Sequence, residues 1–401
     1  MVKKVVTAHT GARDDYQLSL AFNEVYLLEK LVTDLYFKKP RAFFGLVNTI
    51  RSKSELSLAR VNSNWVLGLD LIRKKIFKGS NHSRLVDSIL SNKALNIAIN
   101  SNSNLFLYSY YAYEAFFNAS RFGFDGSKIL FQLHPHPSSI RNILGNEVER
   151  YPFCLQSINS ELEFHLSEMD LYKLKNESVI ADYVFVASSF TKNTLMENGI
   201  NSNKIFVVPY GVNHSMFPYV KKHNTKGKFT ILFMGQMVQR KGLADLLYSV
   251  ELLKSSNLKV IICGRGNIDI GILNHFSHLD LDIRHNVSNF ELLEIVKEVN
   301  LFVMPSLVEG FGHVILEAMS MGLVPITTSN TCGPDVITDE LNGFIVKPKD
   351  PHELATLIDS KISRINDLNE MGHLASIRAN EFSWEKFRNS IIFNYLSLYE
   401  D

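Results

Sequence analysis

Short apolar runs alternate along the chain with longer stretches of helical spacing. In the first half, Lys3–Thr10, Leu105–Tyr110, Lys128–Leu133, Ala181–Ser188 and Lys204–Val208 read as strands. In the second half the same holds for Phe229–Met234, Leu258–Cys263, Ile283–Val287, Leu301–Met304, Val324–Thr328 and a short piece ending at Val346. Apolar residues three and four apart predict helices between them. The first runs from Tyr16 to Leu31, on Leu18, Ala21, Phe22, Val25, Leu28 and Leu31. Others cover Ser189–Asn198, the stretch carrying Leu243 to Leu253, Glu291–Val299, His313–Gly322 and Pro351–Ile362, with a last helix from Ser383 to about Glu400. Strand, turn and helix in repetition is the pattern of a doubly wound parallel sheet, and it starts afresh at Phe229. The polar, aperiodic stretch Pro218–Lys228 between the two series reads as a linker.

Leu301–Gly322 carries the strongest candidate chemistry. Its strand ends at Pro305-Ser306, and a loop with Glu309, Gly310, Phe311 and Gly312 leads into the helix that starts near His313. A glycine-bearing loop before a helix presents free amides and the positive end of the helix dipole, which suits a phosphate. With a diphosphate there, Glu309 stands beside whatever is esterified beyond it. Glu317, one turn into the helix, can accept hydrogen bonds from a ribose. A conflict with local rules lies at Gln239-Arg240-Lys241-Gly242: two cations at a helix N-terminus oppose the dipole, and an anion between them and the helix resolves the conflict. Upstream, Gly11 ends the first strand and allows close backbone approach, or is a plain tight turn. His134, in Phe131-Gln-Leu-His-Pro-His-Pro137, lies at a strand's carboxyl end, where open α/β sheets bind ligands; His136 is the alternative. Tyr108, Tyr110, Tyr111 and Tyr113 crowd the end of another strand. They are candidates for stacking on a sugar or for half-buried core.

Glu309-Gly-Phe-Gly-His-Val-Ile-Leu-Glu317 resembles the E-x7-E element of retaining glycosyltransferases of family 4. The stretch Gly235 to Gly242 is similar to that family's G-R-L-x-x-x-K-G element at Gly235, Lys241 and Gly242, and departs from it at Gln236, where arginine is usual. Pro209-Tyr-Gly-Val-Asn213 resembles the run that closes the family's first domain. The resemblance is specific over roughly 182–362 and looser outside. It implies the GT-B fold: α/β, two Rossmann-like domains facing a cleft, and a C-terminal helix crossing back to the first. The expected division is an acceptor-binding domain at 1–217, a linker at 218–228, a nucleotide-sugar domain at 229–382 and the returning helix at 383–401. The activity it implies is retaining hexosyl transfer from a UDP- or GDP-sugar, with no further cofactor, to a glycan or lipid-linked saccharide in cell-surface polysaccharide synthesis. Glu309, His134 and Lys241 are then the catalytic candidates. Gly11, Arg240, Lys241, Gly310, Phe311, Gly312, His313 and Glu317 are the donor-binding candidates, with Arg240 supplying the charge missing at Gln236. An epimerase or phosphorylase on the same fold is the rival enzyme reading. It calls for a cofactor lysine or a deep acid/base pair, and neither stands out. A non-catalytic glycan-binding relative calls for loss of Lys241 or of a glutamate, and all are present.

Composition narrows this further. The chain has 401 residues, enough for two full cores, and a net charge of +1 that names no partner. Cys154, Cys263 and Cys332 are an odd, widely spaced set, which argues against a zinc site or a disulfide frame and for a reducing compartment. Met1–Thr10 reads as a strand and not a signal peptide, and no window is apolar enough to span a bilayer. Asp280-Leu281-Asp282 imitates a D-x-D metal motif without further oxygen ligands, so no metal is assigned. Residues 38–93 carry twelve basic residues against three acids, with Phe43, Phe44, Trp65 and Phe77 among them. That segment fits an anionic membrane surface or an anionic lipid-linked acceptor, whereas the other motifs give nucleic acid no role. The expected location is cytoplasmic, peripheral at the inner face of the membrane.

Overall fold

The computed structural model describes residues 2–36, 52–63, 84–221, 227–253 and 257–400. Seven strands form the first sheet: β1 (Val5–Ala8), β2 (Leu28–Thr33), β3 (Val61–Ser63), β4 (Asn104–Tyr108), β5 (Lys128–Gln132), β6 (Tyr183–Val186) and β7 (Ile205–Val207). Their order is β3-β2-β1-β4-β5-β6-β7. Six more make the second: β8 (Phe229–Gln236), β9 (Leu258–Arg265), β10 (Leu281–His285), β11 (Leu301–Met304), β12 (Val324–Thr328) and β13 (Phe344–Val346), ordered β10-β9-β8-β11-β12-β13. Every pairing among the described residues is parallel, with Val6 opposite Leu105 and Ile231 opposite Leu301. Helices cover both faces, so the strands are buried throughout and read as unbroken apolar runs. Leu301–Met304, for instance, has no exposed residue. In each sheet the order reverses beside the first strand, and ligands bind outside the strand carboxyl ends at such switch points.

The expected helix Tyr16–Leu31 is shorter than its apolar spacing suggested. It covers Gln17–Glu24; Tyr26 then takes φ 61°, and Leu28 and Leu31 belong to β2. Both residues are buried either way, so the spacing of apolar positions alone could not separate helix from strand. The loop before this helix is unusual, because Asp14, Asp15 and Tyr16 all have positive φ. The basic run at 38–93 falls largely on 37–51 and 64–83, outside the described residues, as does 222–226 of the expected linker.

The last helix, Trp384–Ser397, is capped by Ser383, whose hydroxyl accepts from the Lys386 amide at 3.1 Å. It crosses back onto the first sheet's half. Tyr395 meets Phe22 edge-on with centroids 4.9 Å apart, and its hydroxyl accepts from the Asn104 amide side chain at 2.9 Å. Where the chain crosses, Gly211 lies against the backbone of Ser383 and Trp384. A Cβ there would stand 2.3 Å from the Trp384 nitrogen.

Candidate active site

The loop after β11 is tied down at both ends. The Leu307 amide donates to the Arg240 carbonyl at 2.9 Å, the Glu309 amide to Asn330 at 3.0 Å, and the Asn330 side chain back to Leu307 at 2.7 Å. Gly310 fits a site no other residue could fill, since a Cβ would come within 2.0 Å of the Leu133 carbonyl at the end of β5. Its own carbonyl accepts from Ser188 at 2.6 Å and Thr191 at 3.0 Å. The loop of the second half is thereby docked on the first. Gly312 precedes the helix His313–Ser320 in the left-handed region, φ 90°. Among the described residues no acceptor engages the amides of Gly312, His313 and Val314, as expected of a helix start.

Glu309 is buried and holds two cations. Lys241 Nζ lies 2.7 Å from Glu309 Oε1, and Arg240 Nη1 donates to the same oxygen. Arg240 also donates from Nε to Glu161 Oε2 at 3.0 Å, from Nη1 to the Val308 carbonyl at 3.3 Å and from Nη2 to Gln236 Oε1 at 2.9 Å. Its guanidinium therefore rests beside the position that lacks the expected arginine. Burial works against the Glu309 carboxylate, yet Arg240 and Lys241 outweigh it and bring its pKa down to about 2. Burial likewise works against Arg240, and Glu309 and Glu161 overcome it, raising its pKa above the usual arginine range. Lys241 goes the other way: burial lowers its pKa despite the nearby carboxylate. One Glu309 oxygen serves both cations, and Arg240, unlike Lys241, also donates to the Glu161 carboxylate.

Glu309 and Arg240 open on a cavity of about 700 Å³ between the halves, shared with Arg13, Tyr110, His134, Glu161 and Glu163. His134 exposes its ring to the cavity, edge-on to Tyr110 at 5.4 Å. Enclosure by the cleft walls, and then the charge of Arg240, push its pKa down to about 4, so the imidazole is neutral at pH 7. His136 is buried beneath and caps the helix Pro137–Gly145, its Nδ1 accepting from the Ser138 amide at 3.2 Å.

A family model for glycosyl transferases group 1 matches residues 218–375, which hold every second-half residue of this site. That match lies in the second half of the chain. Capsular polysaccharide biosynthesis glycosyltransferase CapM of Staphylococcus aureus is 26% identical over 230 residues, 52% of this chain and 60% of that protein. The chain thus spans little more than half the length of the curated relatives it matches. Sucrose-phosphate synthase of Thermosynechococcus elongatus superposes with a TM-score of 0.69 at 15% identity over 99% of both chains. Anabaena Alr3699/HepE in complex with UDP-glucose does so at 0.64 and 14%, over 98% of this chain and 100% of that one. The fold is GT-B.

The remaining candidates lie near the cavity without sharing it. Glu317 faces a separate pocket of about 210 Å³ with Asn213, His313 and Trp384. Burial raises its pKa to about 7, and the charge of Lys241 reaches it. The His313 ring stacks on Tyr210 at 4.6 Å, so any part it has in binding an anion falls to its amide. Phe311 is buried against the same tyrosine, edge-on at 5.4 Å. Gly11 has φ 73°, and its amide donates to Asp34 at 3.0 Å, leaving Arg13 as the residue of that loop on the cavity wall. The Asp280 and Asp282 carboxylates go to cations: Lys228 at 2.7 Å for the first, Lys259 at 3.0 Å and Arg284 at 2.7 Å for the second. Sequence reasoning missed Glu161 and Glu163. They sit in the turn-rich stretch between β5 and β6, where no periodicity or motif marks them. The Tyr110 hydroxyl donates to Glu163 at 2.9 Å.

Proposed function

We propose that the chain is a retaining glycosyltransferase of family 4. It moves a hexosyl group from a UDP- or GDP-sugar to a glycan or lipid-linked saccharide in cell-surface polysaccharide synthesis. One observation carries the reading: Glu309, Arg240 and Lys241 meet opposite His134 at the carboxyl ends of two facing sheets. The names of CapM and of the UDP-glucose complex support it. The reaction breaks the bond from the anomeric carbon to the diphosphate, which leaves with the electron pair while the sugar becomes oxocarbenium-like. Lys241, Arg240 and the amides opening the helix His313–Ser320 stabilise that leaving charge, a task for preorganised electrostatics that needs no metal. Glu309 holds sugar hydroxyls and the developing positive charge. Glu317 holds the ribose. Neutral His134 positions the sugar from the other half, which counts when the cleft is closed. The acceptor hydroxyl attacks from the face the diphosphate leaves: its oxygen forms the new bond to the anomeric carbon, its proton passes to the departing diphosphate, and no residue is assigned as nucleophile.

A screen of nucleotide-sugars for thermal stabilisation tests this, because a ligand bound to the native state raises the melting temperature by mass action. One UDP- or GDP-hexose is expected to stabilise the wild type, with or without a chelator. Stabilisation by none, or only with added divalent cation, contradicts the reading. The basic segment 38–93 supports a place on an anionic membrane surface. The described residues include no helix long and apolar enough to cross a membrane. Cosedimentation with vesicles of graded anionic content tests that placement, and binding indifferent to lipid charge overturns it.

A further inference from the structure

Arg240 and Lys241 are the cations assigned above to the donor diphosphate, yet both are already spoken for. Two cations face two carboxylates, Glu309 and Glu161, so the cluster is neutral before any donor arrives. Glu309 belongs to the same half as the cations, and its loop is tied to theirs by the Leu307 amide, which donates to the Arg240 carbonyl. Glu161 comes from the first sheet's half, follows the short helix Leu155–Asn159, and is only part-buried. It touches Arg240 by one bond, from Nε, while the adjacent Nη2 donates to the neutral Gln236 side chain. That Nε–Nη2 edge is the fork a guanidinium offers to two oxygens of a carboxylate or phosphate. Its present occupants are a single carboxylate oxygen and an amide oxygen.

We infer that Glu161 is a displaceable stand-in for the donor diphosphate: it holds the Nε edge of Arg240 in the ligand-free protein and gives it up when the nucleoside diphosphate binds. Charge requires this. A diphosphate beside an already neutral cluster gains no net attraction and meets Glu161 as a like charge a few ångströms away. With Glu161 gone from the guanidinium, the edge is free for bidentate contact. Because Glu161 and Arg240 lie on opposite halves, the exchange also couples donor binding to the relative position of the halves. Glu163, two residues on, does not share this role: it is buried, and the Tyr110 hydroxyl donates to it.

The inference rests on the diphosphate-binding role proposed for Arg240, and calorimetric titration of free UDP and GDP separates the two. Wild type, Glu161→Gln and Glu163→Gln are compared at one ionic strength. The expected result is that wild type binds one nucleotide, that Glu161→Gln binds it about tenfold tighter, and that Glu163→Gln stays within twofold of wild type. A contact that was merely structural would weaken binding, or leave it unchanged, when lost. If wild type binds and Glu161→Gln binds no tighter, the inference fails and the functional reading stands. If Glu163→Gln tightens binding as much, general acidity of the wall is responsible and the assignment to Glu161 is overturned. If neither wild type nor Glu161→Gln binds either nucleotide, the functional reading fails and takes the inference with it.

Discussion

Replacing Lys241 by methionine separates what that residue does for the fold from what it does for chemistry. Methionine keeps most of the apolar stem and removes the ammonium 2.7 Å from Glu309. Burial holds the lysine pKa below its ordinary value, so the folded protein bears a cost for the charged form. The sign follows: a lysine with a lowered folded pKa subtracts stability at neutral pH, and removing the charge returns it. Against that, Glu309 loses one of the two cations that bring its pKa to about 2, but keeps Arg240. Removing one partner of a buried pair costs about 3–5 kcal/mol when the other is left alone, and replacing a buried charge by an apolar group is often neutral. With Arg240 still in place, the two terms nearly cancel, and urea unfolding of Lys241→Met is expected within about 1 kcal/mol of wild type. Turnover is another matter. Loss of one preorganised group facing transition-state charge costs about 2.7–4 kcal/mol, a factor of about 10² to 10³ in kcat. The assay is nucleoside diphosphate release under saturating donor. A variant that unfolds some 3 kcal/mol more easily would show that Lys241 is a structural ion pair. One that turns over at the wild-type rate would show that its charge never meets the diphosphate.

Three further outcomes are expected. Glu317→Ala weakens nucleotide binding while Glu309→Ala mainly slows turnover. Since burial sets the Glu317 pKa near 7, nucleotide affinity rises as pH climbs through that value and flattens in Glu317→Gln; unchanged affinity in Glu317→Ala removes the ribose role. His136→Ala loses a helix cap, about 1 kcal/mol of stability by thermal unfolding, and keeps its turnover, whereas His134→Ala loses turnover and keeps its stability. Gly310→Ala forces its Cβ within 2.0 Å of the Leu133 carbonyl, so it lowers both stability and turnover by undocking the loop; wild-type values in both measurements refute that close fit.

The second half was the more legible in the sequence. β11, β12 and the helix Pro351–Ile362 fall on the residues their apolar pattern named. Parallel strands buried on both faces leave short apolar runs with clear ends, and the glycines at 312 and 322 mark where the helix between β11 and β12 starts and stops. Where apolar positions serve either element, the pattern fails, as at Leu28 and Leu31. Arg240 was legible because two cations at a helix start break a local rule, and the structure sets that guanidinium against Gln236 and Glu309. Glu161 was not, because its meaning lies in a contact across 79 positions of chain that no local pattern encodes. The separation of Glu309 from Glu317 into two cavities was also invisible, since one lies in the loop and the other on the helix, and eight residues of spacing do not say what packs between them.

In the proposed reaction, this cleft breaks a sugar–diphosphate bond with side-chain charge and keeps the anomeric configuration. Proton NMR of the anomeric signals during turnover of the stabilising nucleotide-sugar, in the presence of a chelator, tests it most directly. The expected result is nucleoside diphosphate release with the new sugar bond formed in the donor's configuration, and no such release by Lys241→Met above about a hundredth of the wild-type rate. Inverted product, or turnover that stops when the chelator is added, would contradict it.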